Sequence, residues 1–161
     1  MTEFDVNDQP WVDVLRDAIA RVRQPAEQPP GSVTVTYEQA RAALAELDAA
    51  ITHIAEALQV EFVGPEVGLD GHNEAYRLVV RAHEWEAVGT HRWSVKICDG
   101  LANAGLRATW ALQGAGRRRQ VKVLEVLPQF LEDYRAAAAQ RDLTDHGAFV
   151  RLDTLARALR G

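Results

Sequence analysis

The stretch Tyr76–Gln113, YRLVVRAHEWEAVGTHRWSVKICDGLANAGLRATWALQ, decides the fold. Its patterning predicts three β-strands, Tyr76 to Val88, Arg92 to Cys98 and Leu106 to Gln113, which carry three of the four tryptophans. In the first, Tyr76, Leu78, Val80 and Ala82 alternate with Arg77, Val79, Arg81 and His83, the period of two that a sheet shows when one face is buried. Trp93, Val95 and Ile97 on the second strand join that apolar class, as do Leu106, Ala108, Trp110 and Leu112 on the third. The opposite class holds Arg77, Arg81, Arg92, Lys96 and Arg107, with no carboxylate of these three strands in the same alternation. One face of the sheet is therefore expected to be core and the other cationic.

Working upstream, Pro10 suits the first position of a helix, where its missing N–H is harmless, and Trp11, Leu15, Ala18 and Val22 follow at helical spacing to about Arg23. Residues 24–32, with Pro25, Pro29, Pro30 and Gly31, cannot continue it and read as a linker. Val33 to Val35 suggests a very short strand. Thr36 with Gln39 three residues later makes a capping box, and Tyr37, Ala40, Leu44, Leu47, Ile51, Ile54 and Leu58 then repeat by threes and fours. Ala43, Ala50 and Ala57 beside this seam would let a second helix approach closely. That helix is either the one that starts at Pro10 or the same helix of a second copy; the second choice would give a homodimer through Tyr37, Leu44, Leu47, Ile51, Ile54 and Leu58. Glu61 to Val63 predicts a further strand, and the glycines and proline from Gly64 to Gly71 a loop.

Downstream, a hairpin turn is expected at Val88 to His91, and a helical turn between the second and third strands, which should pair antiparallel. Arg117 to Val126 reads as a helix with a kink or a fresh start at Pro128, and Leu127, Leu131, Tyr134 and Ala138 continue its seam. Thr144 is the expected N-cap of a last helix carrying Phe149, Leu152, Ala156 and Leu159. The layout is a single α+β domain over residues 1–161, a mostly antiparallel sheet of three to five strands with helices packed on one face.

At 161 residues with 47% hydrophobic and 25% charged side chains the chain can bury one sizeable core. No apolar run approaches the roughly 20 residues of a membrane span, and Met1 to Pro10 is too acidic for a secretory signal, so the expected setting is the cytoplasm. Sixteen arginines against two lysines, with abundant alanine, suggest a bacterial, GC-rich origin. The net charge of −5 is unevenly spread: residues 1–75 set four arginines against fourteen carboxylates, a net of −10, and the remainder carries +5. Such separation either steers an anionic partner to the basic part or is neutralised inside the fold by the acidic helices.

The remaining polar residues carry less chemistry. His72, Glu74, His83, Glu84, Glu86 and His91 have ligand chemistry, but strand alternation sends His83 away from Glu84 and Glu86, and no metal site is expected. Cys98, the only cysteine, excludes an internal disulfide and reads as a small buried hydrophobe; Glu132 and Asp133 beside Arg135 read as a solvated helix face. Arg117, Arg118 and Arg119 stand at a helix N-terminus, where cations are locally unfavourable unless an anion, an acidic neighbour or solvent compensates. No nucleophile elbow, phosphate loop or cofactor motif occurs. The sequence thus leans away from an enzyme and from any cofactor. It favours a binding module that meets an acidic macromolecule on Arg77, Arg81, Arg92, Lys96 and Arg107, extended by Arg117 to Arg119. The alternatives are a phosphate ligand or nucleic acid on the same face, or an enzyme pocket between helices and sheet.

Overall fold

The computed structural model describes residues 9–23, 35–68, 75–85, 90–99 and 109–160, which form an α+β fold of four helices and a four-stranded antiparallel sheet. Helix α1, Pro10–Arg23, and helix α2, Tyr37–Leu58, come first. Strands β1, Phe62–Gly68, β2, Ala75–Trp85, β3, Thr90–Asp99, and β4, Thr109–Trp110, pair in chain order as a meander. A 3-10 turn at Leu112–Gly114 leads into α3, Arg117–Gln140, and α4, Gly147–Leu159, closes the helical layer. Among the described residues no helix is long and apolar enough to cross a membrane.

Local chemistry explains why α2 starts where it does. Thr36 Oγ1 accepts the Gln39 amide at 3.1 Å while the Thr36 amide donates to Gln39 Oε1 at 2.9 Å, so the expected capping box is formed. Along the helix Ala40, Leu44, Leu47, Ile51, Ile54 and Leu58 are buried, with Tyr37 half-buried. They pack against α1, α4, β3 and the 3-10 turn of the same chain. The intramolecular choice is the one the fold realises.

The sheet keeps the expected alternation. Tyr76, Leu78, Val80, Val95 and Ile97 are buried in the core, and Ala82, Trp93 and Trp110 are half-buried on the same side. Pairing of Leu78 with Ile97 and of Val80 with Val95 sets the two central strands in register. The turn after Trp85, the spacer before Thr109, Leu106 and Ala108, and the short strand at Val33 lie outside the described residues.

Four expectations are corrected. The strand starting at Glu61 is longer, because Gly64 and Pro65 lie in a bulge between the Val63–Val79 and Glu66–Arg77 pairs rather than in a loop. A bulge on an edge strand tolerates a residue with no N–H, and Gly64 is needed there since a Cβ would come within 2.8 Å of Phe130 and 3.0 Å of the Leu78 carbonyl oxygen. The third strand stops at Trp110, not Gln113, because the Leu112 amide donates to Asp48 Oδ2 at 3.3 Å and the chain turns into the 3-10 segment. Of the kink or fresh start expected at Pro128, the fresh start is not made, since α3 runs through it; the penalty of about 3 kcal/mol for an interior proline is offset by the buried Leu124, Leu127, Phe130, Leu131 and Tyr134 on both sides of it. The last helix is capped by His146 rather than Thr144, with Nδ1 accepting the Ala148 amide at 3.0 Å. Residues 141–146 are spent on the turn out of α3, in which Asp142 takes φ 58°.

Candidate binding surface on the cationic sheet face

Register decides how the strand cations meet. Arg77 stands opposite Cys98, Arg81 opposite Ser94, Arg92 opposite His83 and Lys96 opposite Val79. Directly opposed residues share a face, and their neighbours two residues along lie on the diagonal, about 7–8 Å away. Arg81 is therefore diagonal to both Arg92 and Lys96, and Lys96 is diagonal to Arg77 as well. The four cations zigzag across β2 and β3 on the side away from the helices. Arg81 and Arg92 are exposed there, Arg77 and Lys96 half-buried.

Apolar groups lie among them. Val79 and Cys98 are buried yet do not belong to the core cluster, and Val63, paired with Val79 in register, is 59% exposed. In this setting long cationic side chains lay their stems over apolar surface and keep their heads in water.

The charge of this face is partly engaged within the chain. Arg77 donates to the Gly64 carbonyl oxygen of the β1 bulge at 3.3 Å, and Arg81 and Arg92 also take part in interactions of their own. Strand β1 brings Glu66 into register with Arg77, a relation invisible to the alternation of the three later strands. Lys96 is felt from the helical side. Asp48 on α2 is half-buried, and burial pushes its carboxyl above the ordinary value, opposed by the hydrogen bond from Leu112, the charge of Lys96 and the Thr52 hydroxyl. One acidic helix residue thus reaches one cation of the sheet.

Arg107 lies outside the described residues. Arg117 and Arg119 are present but do not join the strand cations. The Arg119 guanidinium lies 3.9 Å from the centre of the Trp110 ring and 4.9 Å from that of Tyr76, and donates to the Tyr76 hydroxyl at 3.3 Å. Both rings belong to the core-facing class, so Arg119 sits on the helical side of the sheet. Arg117 lies 4.8 Å over the Tyr37 ring of α2, and Arg118 is exposed. Ring faces supply the compensation these cations need at the positive end of α3. Sequence reasoning missed it by weighing only anions, acidic neighbours and solvent; the signal was the tyrosines and tryptophan at the ends of neighbouring elements.

A second polar region joins α3 to α4. Glu132 holds Arg135 at 2.9 Å and is hydrogen-bonded to Arg160, while Asp153 pairs with Arg135 at 3.5 Å and Arg157 at 3.0 Å. Arg160 and Arg135 draw the Glu132 carboxyl below its usual range, and Glu132 in turn raises Arg135. An open cleft of about 490 Å³ runs beside this network, lined by Arg23, Glu125, Glu132, Asp133, Arg135 and Arg160. Glu132 is therefore part of a tertiary network rather than a solvated face. Its partner Arg160 is 28 residues away, beyond the reach of helix spacing.

Cys98 is buried. Among the described residues no three His, Cys, Asp or Glu side chains stand close enough together to hold a metal ion. His72, Glu74 and Glu86 lie outside those residues. Comparison of the chain with protein-family models, with curated proteins and with solved structures finds no match.

Proposed function

We propose that this chain is a non-catalytic, cytoplasmic binding module that receives an acidic macromolecule, most simply an acidic segment of another protein, on the outer face of its sheet. The observation that carries the reading is one-sidedness. The helices take the apolar class of β2 and β3 into a common core, while Arg81 and Arg92 stand exposed on the other side, with Lys96 diagonal to Arg81 and Arg77 diagonal to Lys96. A cluster of one sign on one face concentrates field and speeds the encounter with an oppositely charged partner. The exposed Val63 beside Val79 offers a small apolar contact at the same place.

The test uses a fluorescent glutamate-rich peptide and follows anisotropy at several salt concentrations. Wild type should bind with an affinity that falls as salt rises, and Arg81→Glu with Arg92→Glu should abolish binding mainly through a slower on-rate. Inorganic phosphate and a nucleic-acid oligomer serve as competitors. A much tighter complex with the oligomer, with a steep loss in salt as counterions are released, would move the assignment to nucleic acid. Unchanged peptide binding by the double reversal would sink the outer-face reading. Because both arginines also have contacts within the chain, the melting temperature is recorded alongside, and a folded double variant is the condition for reading the loss as a binding effect.

A further inference from the structure

The geometry points to a specific mode of engagement: an extended acidic peptide adds to the sheet as a fifth strand beside β3, with its carboxylates laid over Arg92 and Lys96. This rests on the outer-face reading and names the partner's conformation. The ladder between β3 and β4 consists of two pairs only, Ile97 with Trp110 and Cys98 with Thr109. The amide that would carry it further, that of Leu112, is given to Asp48 Oδ2 at 3.3 Å, and the chain leaves through the 3-10 turn. Strand β3 nevertheless continues upstream to Thr90, and among the described residues no strand lies beside that part of it.

A sheet edge of this kind is a template for an extended chain, whose main chain gives affinity and whose alternate side chains give specificity. Here the two sides of the edge ask for different residues. Toward the outer face it presents Arg92, Ser94 and Lys96, with Arg81 on the next strand opposite Ser94. Toward the helices it presents half-buried Trp93, beside Val95, which the chain's own core already covers. Charge complementarity on one side and apolar surface on the other select a segment in which acidic and apolar residues alternate. A compact acidic surface could reach the outer face, but it could not meet both sides of the edge.

The experiment compares a labelled peptide of alternating glutamate and valine with a twin N-methylated throughout, which keeps the charges but has no N–H to donate. Both are titrated into wild type and into the R81E/R92E variant, and amide exchange of Trp93 to Val95 is followed. The unmodified peptide should bind wild type at least about tenfold more tightly than its twin, slow exchange at Trp93 to Val95, and lose its binding in the variant. Equal binding of the two peptides to wild type, abolished for both in R81E/R92E, would overturn the added strand and leave the outer-face reading intact. If neither peptide binds, or both bind the variant as they bind wild type, the outer-face reading fails and the added strand fails with it.

Discussion

Asp48 couples three parts of the molecule through one side chain: it ends the β3–β4 ladder by taking the Leu112 amide, accepts the Thr52 hydroxyl at 3.5 Å, and lies in the field of Lys96. Nothing in its local sequence marks it out from the other acids of α2, because the amide it satisfies is 64 residues away. Arg119 is a parallel case, since its aromatic partners come from β2 and β4 and only folding brings them to the start of α3. Removing the Asp48 side chain strands a half-buried amide, so Asp48→Ala should cost about 1–3 kcal/mol, while Asp48→Asn, which retains an acceptor, should cost less than half of that. The pH dependence has a defined sign. Burial raises this carboxyl above its unfolded value of 3.8, so the folded state holds the proton longer and stability attributable to the group falls as pH rises from that value through the raised one. In thermal melts from about pH 3 to about pH 6, Asp48→Asn should therefore gain on wild type as pH increases. A difference that moves the other way would mean that Leu112, Lys96 and Thr52 outweigh burial.

Elements with strong periodicity are legible in the sequence: the limits of α1, the capping box and seam of α2, and the inward class of β2 and β3 all follow from spacing. What spacing does not hold is the partner. The seam of α2 fits a second copy as well as it fits α1 and α4, and only the packed core shows that it is filled from within. Local rules misled where tertiary packing overrode them, at Pro128, which buried neighbours hold inside α3, and at Gly64 and Pro65, where turn-forming residues serve a bulge pressed against Phe130. Leu47 is fully buried at the middle of the seam, so Leu47→Ala should cost about 2–5 kcal/mol by removing transfer energy and leaving a cavity. Light scattering on the same variant should give the mass of the wild type, since the residue packs within one chain. A change in mass with little loss of stability would place the seam between copies instead.

At the scale of the whole molecule the two unevenly charged parts meet, among the described residues, where Asp48 lies in the field of Lys96 and where Glu66 is in register with Arg77. Asp13 instead pairs with Arg16, Glu38 with Arg41, and the α3–α4 network is built from residues of the basic part alone. The cationic class of β2 and β3 was readable from alternation, but its diagonal arrangement, the register of Glu66 with Arg77 and the separate fate of Arg117 and Arg119 needed strand pairing and packing. The C-terminal helix is tied down by polar contacts at both sides, Arg16 donating to the Ala158 carbonyl oxygen at 2.9 Å and Glu132 holding Arg160 beyond its last turn. Glu132 is the junction of that network, and its carboxyl is held below the unfolded value of 4.5 by Arg160 first and Arg135 second. For such a group the stabilisation is complete above the unfolded value and is lost as pH falls through the depressed one. Glu132→Gln should accordingly melt below wild type at neutral pH, by on the order of 1 kcal/mol for partly exposed pairs. The gap should narrow as pH falls below 4.5 and through the depressed value, where the wild-type carboxyl takes its proton, and also in high salt as the pairs are screened. A Glu132→Gln deficit that persists unchanged into acid would show that the side chain matters by its packing between α3 and α4 rather than by its charge.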